Sequence, residues 1–116
     1  MQLGHIELFV KNPLKAREFY ANVLGFEEVA VQQGEYIWMK SGDTEILLRP
    51  GKNSGRTFEY QQASIGLVFY TNNLEQTTSE LKSRGLIFQG NDGSERCLTF
   101  TDPDGNWFQL VDPSDH

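Results

Sequence analysis

The stretch His5-Ile6-Glu7-Leu8-Phe9-Val10-Lys11-Asn12 is matched by Gly66-Leu67-Val68-Phe69-Tyr70-Thr71-Asn72-Asn73 at an offset of 61 (66 less 5). In the first copy Ile6, Leu8 and Val10 alternate with His5, Glu7 and Phe9, the period of a strand whose two faces serve different purposes. A second pair, Gly42 to Pro50 against Gly105 to Pro113, recurs at an offset of 63 (105 less 42). Two matches at nearly the same offset describe an internal repeat, so one structural unit is used twice.

The text between these anchors completes the unit. Asn12 suits a helix N-cap and Pro13 a first helical turn, and Ala16, Phe19, Tyr20, Val23 and Leu24 follow at helical spacing until Gly25. Three short strands fit Phe26 to Val31, Tyr36 to Met39 and Glu45 to Leu48, parted by the turns Gln32-Gln33-Gly34 and Ser41-Gly42-Asp43. The order repeats with a strand from Ser64 to Thr71, an Asn73 cap, and a helix carrying Leu74, Thr78 and Leu81 to Gly85. Strands are then expected at Leu86 to Gln89, Arg96 to Thr101 and Trp107 to Val111. The reading is an α+β domain over residues 1–116, with eight strands and two helices in two tandem βαβββ modules. Module 1 covers about 3–50, a polar linker about 51–62 and module 2 about 63–113. Ile6, Leu8, Val10, Phe19, Leu24, Leu67, Phe69, Leu81, Phe108 and Leu110 are the predicted core.

With 116 residues, 38% hydrophobic and 12% aromatic, the chain can bury one domain-sized core. Its net charge of −6 and pI near 4.8 repel phosphate backbones and anionic headgroups, which argues against nucleic acid and membranes as partners. No apolar run approaches the roughly 20 residues of a membrane span, and Met1 to His5 lacks the basic flank and apolar block of a secretory signal. A cytoplasmic protein is expected. Cys97, the single cysteine, allows no internal disulfide and no thiolate metal site, and reads as a small strand filler. Gly51-Lys52-Asn53-Ser54-Gly55 lacks the spacing of a phosphate loop.

Glu18-Phe19-Tyr20 with Val23-Leu24-Gly25-Phe26, then Leu81-Lys82-Ser83-Arg84-Gly85, then Phe100-Thr101-Asp102-Pro103-Asp104-Gly105-Asn106 follow one another along the chain. In that succession the chain resembles the vicinal oxygen chelate superfamily of glyoxalase, bleomycin-resistance and extradiol-dioxygenase proteins. The resemblance implies a glyoxalase/bleomycin-resistance-like fold, a cupped mixed sheet, and a homodimer. Each motif also has a plain local meaning as a helix core, a helix stop or a turn, so function has to come from the site.

The resemblance further implies a divalent metal held by one residue from each of four strands, here at His5, Glu45 or Ile46, Gly66 and Gln109. Glycine cannot ligate, and the offset of 63 pairs Gln109 with Ile46 (109 less 63), which cannot either. Glu45 would replace Ile46 only if the strand were shifted by one residue, which turns every side chain to the other face. No complete metal site and no cofactor are expected, with a divalent metal as the alternative and Glu7 and Glu45 as its candidate catalytic carboxylates. The ligand-binding candidates are His5, Glu7, Phe9, Trp38, Tyr70 and Gln109, with His5 and Gln109 expected to face one cavity. An aromatic wall with few polar groups suits a small aromatic molecule, and Glu7 suits a cationic one. The expected function is small-molecule binding of the bleomycin-resistance type, against a metal-dependent lyase or isomerase or a ring-cleaving dioxygenase.

Overall fold

A computed structural model describes residues 1–52 and 56–115. Asn53, Ser54 and Gly55, part of the expected linker, and His116 lie outside the described residues. The chain divides into two compact units, Met1–Ser54 and Gly55–His116.

In the first unit β1 (Ile6–Val10) leads through α1 (Pro13–Glu18) and a π-helical turn (Phe19–Val23) to β2 (Glu27–Gln32), β3 (Tyr36–Ser41) and β4 (Thr44–Pro50). Asn12 caps α1 by accepting from Lys15 N at 3.2 Å, and Pro13 sits in the first turn, where no amide donor is needed. The wide turn carries Tyr20 into full burial, and Gly25 stops it at φ 77°, a value only glycine takes freely. The sheet order is β1-β4-β3-β2, with β1 parallel to β4 and the other neighbours antiparallel. Val10, Ile37, Met39 and Leu48 on one face are wholly buried. Edge strand β2 is exposed along its length and bulged between Glu28 and Ala30.

The second unit runs β5 (Leu67–Tyr70), α2 (Leu74–Ser83), β6 (Cys97–Thr101) and β7 (Trp107–Val111), in the sheet order β5-β7-β6. Asn73 caps α2 by accepting from Gln76 N at 3.1 Å, as Asn12 does for α1. Phe69 and Phe100 stack on Phe108 with centroids 5.3 and 5.4 Å away. Such pairs add about 0.5–1.5 kcal/mol each beyond their buried area. Asp102 anchors the β6–β7 turn, its Oδ1 accepting from Asp104 N and Asn106 N at 2.9 Å each.

Two expectations need correction. The described residues form seven strands, because Leu86–Gln89 is not one. That segment reaches β6 around one residue: Gln89 N donates to Thr99 O and Thr99 N to Gly90 O. Gly90 (φ 81°) and Gly93 (φ 85°) then turn the chain in a way an extended ladder cannot follow. Of the predicted core, Leu8, Val10, Leu81, Phe108 and Leu110 are buried, whereas Ile6, Phe19, Leu24, Leu67 and Phe69 are half-buried.

Candidate functional site

The ladders assign the faces. In the first unit Ile6 pairs with Ile46 and Leu8 with Leu48, while Glu7 pairs with Leu47 and Phe9 with Arg49. Trp38 stands beside Leu47 on β3, and Glu45 stands beside Lys40. One face therefore carries Glu7, Phe9, Leu47, Arg49, Trp38 and Tyr36. Ile46, the residue that the motif spacing paired with Gln109, points instead into the buried face between Ile6 and Met39 and is 3% exposed. Glu45 has the parity of Leu47 and Arg49 but is exposed, one pair further along the strand.

Around Glu7 the side chains form a polar group within an aromatic frame. Its Oε2 meets His5 Nε2 at 2.8 Å and its Oε1 accepts from Arg49 Nη1 at 3.0 Å. His5 must carry its proton on Nε2 to make that bond, which leaves Nδ1 as the other ring nitrogen. The hydrogen bond from His5 first, and that from Arg49 second, hold the Glu7 carboxyl below the usual range. The His5 ring meets Trp38 edge-on with centroids 4.6 Å apart, and Trp38 Nε1 donates to Gln32 at 3.0 Å. The Arg49 guanidinium lies over Phe9 at 5.1 Å and over Tyr36 at 5.5 Å. Phe9 lies so close to Gly51 that a Cβ there would come within 2.5 Å of its ring.

Arg49 was not among the expected site residues, yet it is central to this face. Its signal in the sequence was an arginine closing the apolar run Ile46-Leu47-Leu48, visible as a site residue only once the phase of β4 is known. Its presence gives Glu7 a positive partner on the same face.

The second unit repeats the ladder with different chemistry. Leu67 pairs with Phe108, Val68 with Gln109 and Tyr70 with Val111, and Thr99 flanks Gln109 on β6. Gln109 is buried and its Nε2 donates to Asp92 Oδ2 at 3.3 Å, while Gln61 holds the other Asp92 oxygen at 3.0 Å. Tyr70 is 74% exposed on the same face of β5 as Val68. At Gly66 a Cβ would lie 2.3 Å from the hydroxyl oxygen of Tyr60, so a phenol fills the space of the missing side chain. Tyr60 in turn meets Trp107 edge-on at 6.2 Å. Sequence reasoning missed Tyr60 because it lies in the irregular connection, with no periodicity to assign it a face.

These donors do not fit a divalent ion. In the first unit His5 Nε2 and both Glu7 oxygens are engaged, which leaves His5 Nδ1 as a single imidazole donor, and a metal there would face the fixed positive charge of Arg49. In the second, Gly66 has no side chain and Gln109 offers at most one neutral amide oxygen, its Nε2 being held by Asp92. Among the described residues no three His, Cys, Asp or Glu side chains come together as a metal cluster.

Comparison with known proteins agrees with this architecture. The family described as the Glyoxalase/Bleomycin resistance protein/Dioxygenase superfamily matches residues 2–110. The protein YetH of Bacillus subtilis is 29% identical over 94% of this chain and 96% of its own length. The metallothiol transferase FosB of Staphylococcus haemolyticus is 27% identical over 93% of this chain and 81% of its own. Among solved structures, the antibiotic-binding protein TnmS3 of Streptomyces sp. CB03234 superposes with a TM-score of 0.71 at 25% identity, covering 97% of this chain and 98% of its own.

Proposed function

This chain belongs to the Glyoxalase/Bleomycin resistance protein/Dioxygenase superfamily, and from that premise we propose that it binds a small, flat aromatic molecule without a metal. The observation that carries the reading is the first unit's face, where Trp38, Tyr36, Phe9 and His5 frame a Glu7–Arg49 pair with no open set of metal donors. Aromatic walls hold a planar ligand through apolar contact, and the few polar groups set its orientation. Likeness to an antibiotic-binding protein supports the same class of activity. Tyr70 and Gln109 are proposed as contacts presented by the second unit's own face.

The test uses tryptophan fluorescence, with Trp107→Phe leaving Trp38 as the only emitter. Aromatic compounds should quench it saturably, and His5→Ala or Phe9→Ala should weaken binding about three- to thirtyfold, the loss of one good pocket contact. Uniform, unsaturable quenching would contradict the reading.

A second reading, a metal-dependent enzyme using Glu7 or Glu45 as a base, is favoured by the relative named a metallothiol transferase. Metal analysis of protein purified without chelators separates the two. Far less than one ion per chain is expected, and near-equimolar metal lost on His5→Ala would favour the enzyme.

We also propose a homodimer in the cytoplasm. No helix among the described residues is long and apolar enough to cross a membrane, and β2 presents an open strand edge that a second copy could cover. Light scattering should give twice the 13.2 kDa chain mass. A single-chain mass at high concentration would rule the dimer out.

A further inference from the structure

Resting on the reading that the first unit's face holds a flat aromatic compound, we infer that this compound carries a planar oxyanion, a carboxylate, received on the Arg49 guanidinium. Guanidinium has two in-plane edges suited to a carboxylate fork, and its flat faces suit aromatic rings. Here the Phe9 and Tyr36 rings lie 5.1 and 5.5 Å from the guanidinium carbon, so a ligand held there also meets aromatic surface. Glu7 takes Nη1. Among the described residues that is the only side-chain hydrogen bond Arg49 makes, and its Nε is buried without a partner.

Glu7 is shared between His5 and Arg49, so among the described residues the guanidinium gives one of its donors to a side chain and keeps others unspent. A carboxylate on the remaining Nη donors supplies a second acceptor, with room for a parallel pair of bonds. With Nε itself closed off, approach is to the Nη groups, the Arg49 side chain being 35% exposed.

Charge on this face favours the same sign. A cation would find both Glu7 oxygens already accepting, from His5 and Arg49. The other carboxylate on this side of β4, Glu45, stands beside Lys40. The net charge of −6 opposes an anion at long range, but that field is screened beyond about 8 Å at physiological salt, whereas a bidentate contact is not. Local geometry therefore decides. The aromatic part of the ligand lies toward Trp38 and His5, and the carboxylate toward Arg49.

The test compares 2-naphthoate, 2-naphthylmethanol and 2-naphthylmethylammonium as quenchers of Trp38 in the Trp107→Phe protein. The carboxylate should bind about tenfold more tightly than the neutral alcohol, as a charge-assisted bidentate contact allows, and the ammonium no more tightly than the alcohol. Arg49→Gln should abolish the carboxylate's advantage, so that carboxylate and alcohol bind equally to the variant. Arg49→Lys should restore only part of it, because a point charge cannot form the fork. Glu7→Gln, which leaves Arg49 in place, should tighten carboxylate binding by releasing Nη1, and it serves if the arginine variants do not fold. Equal binding of all three compounds, or a preference for the ammonium, would overturn the inference and leave the aromatic site standing. Failure of all three to bind would overturn both.

Discussion

The two units share a ladder and differ in what they hang on it. At one place in the repeat the first unit has His5, bonded to Glu7 and edge-on to Trp38, while the second has Gly66 with the phenol of Tyr60 in its place. One step along, Glu7 answers to Val68 and its partner Leu47 to Gln109, while Phe9 with Arg49 answers to Tyr70 with Val111. The buried faces, by contrast, remain alike: Leu8 faces Leu48 as Phe69 faces Leu110. Packing constrains the apolar side of each sheet in both copies, because its volume has to be filled. The opposite side is free to change, and here one copy has become an aromatic face around an ion pair and the other a face of amides bonded to Asp92.

The largest expected effects test the shared side. Ile46→Ala and Phe108→Ala remove ladder-equivalent core residues, 3% and 0% exposed, and should cost about 2–5 and 3–5 kcal/mol in chemical denaturation. A loss in only one of the two would break the equivalence of the buried faces.

A smaller effect tests the divergent side. Gly66→His forces the Tyr60 ring out of the space it fills and away from Trp107. The expected cost is about 1–2 kcal/mol, the usual range for overpacking eased by a side chain that can move, with no gain of divalent metal. Tyr60→Ala in the same chain should relieve the clash, read as partial recovery of the melting temperature over Gly66→His alone. A stable single variant that takes up metal would show that Tyr60 does not hold the place.

The smallest effect concerns pH. The Glu7 carboxyl is held below its ordinary range by His5 and then Arg49, so its contribution is present at neutral pH. It fades as the pH falls through the ordinary carboxylate range toward the depressed value. The stability difference between the parent chain and Glu7→Gln should therefore shrink on acidification from pH 7 to pH 3. A difference that grows on acidification would place the carboxyl outside this group.

Much of this was legible in the sequence where local chemistry dictates local structure. The alternation of Ile6, Leu8 and Val10, the caps Asn12 and Asn73, and the stops Gly25 and Gly85 are read from a few adjacent residues. The phase of β4 was not. Motif matching anchors on the turn glycines Gly42 and Gly105, whose separation of 63 pairs Ile46 with Gln109. The ladders give 62 (108 less 46), because one more residue lies between glycine and strand in the first unit. That single residue turns Ile46 inward and puts Arg49 beside Glu7. Leu86–Gln89 looked like a strand because its apolar residues do not reveal that Gly90 and Gly93 take positive φ. Arg49 and Tyr60 act through contacts with residues 42 and 6 positions away, which no local pattern reports.

The central claim is that the first unit's face recognises its ligand without a metal. It is tested most directly by titrating the Trp107→Phe protein with 2-naphthoate, once in excess chelator and once in saturating manganese, and comparing the dissociation constants from Trp38 quenching. The account predicts values that agree within about twofold, since His5 Nδ1 alone, beside the Arg49 charge, does not make a manganese site. Saturable binding that appears only with manganese and vanishes in chelator would contradict it.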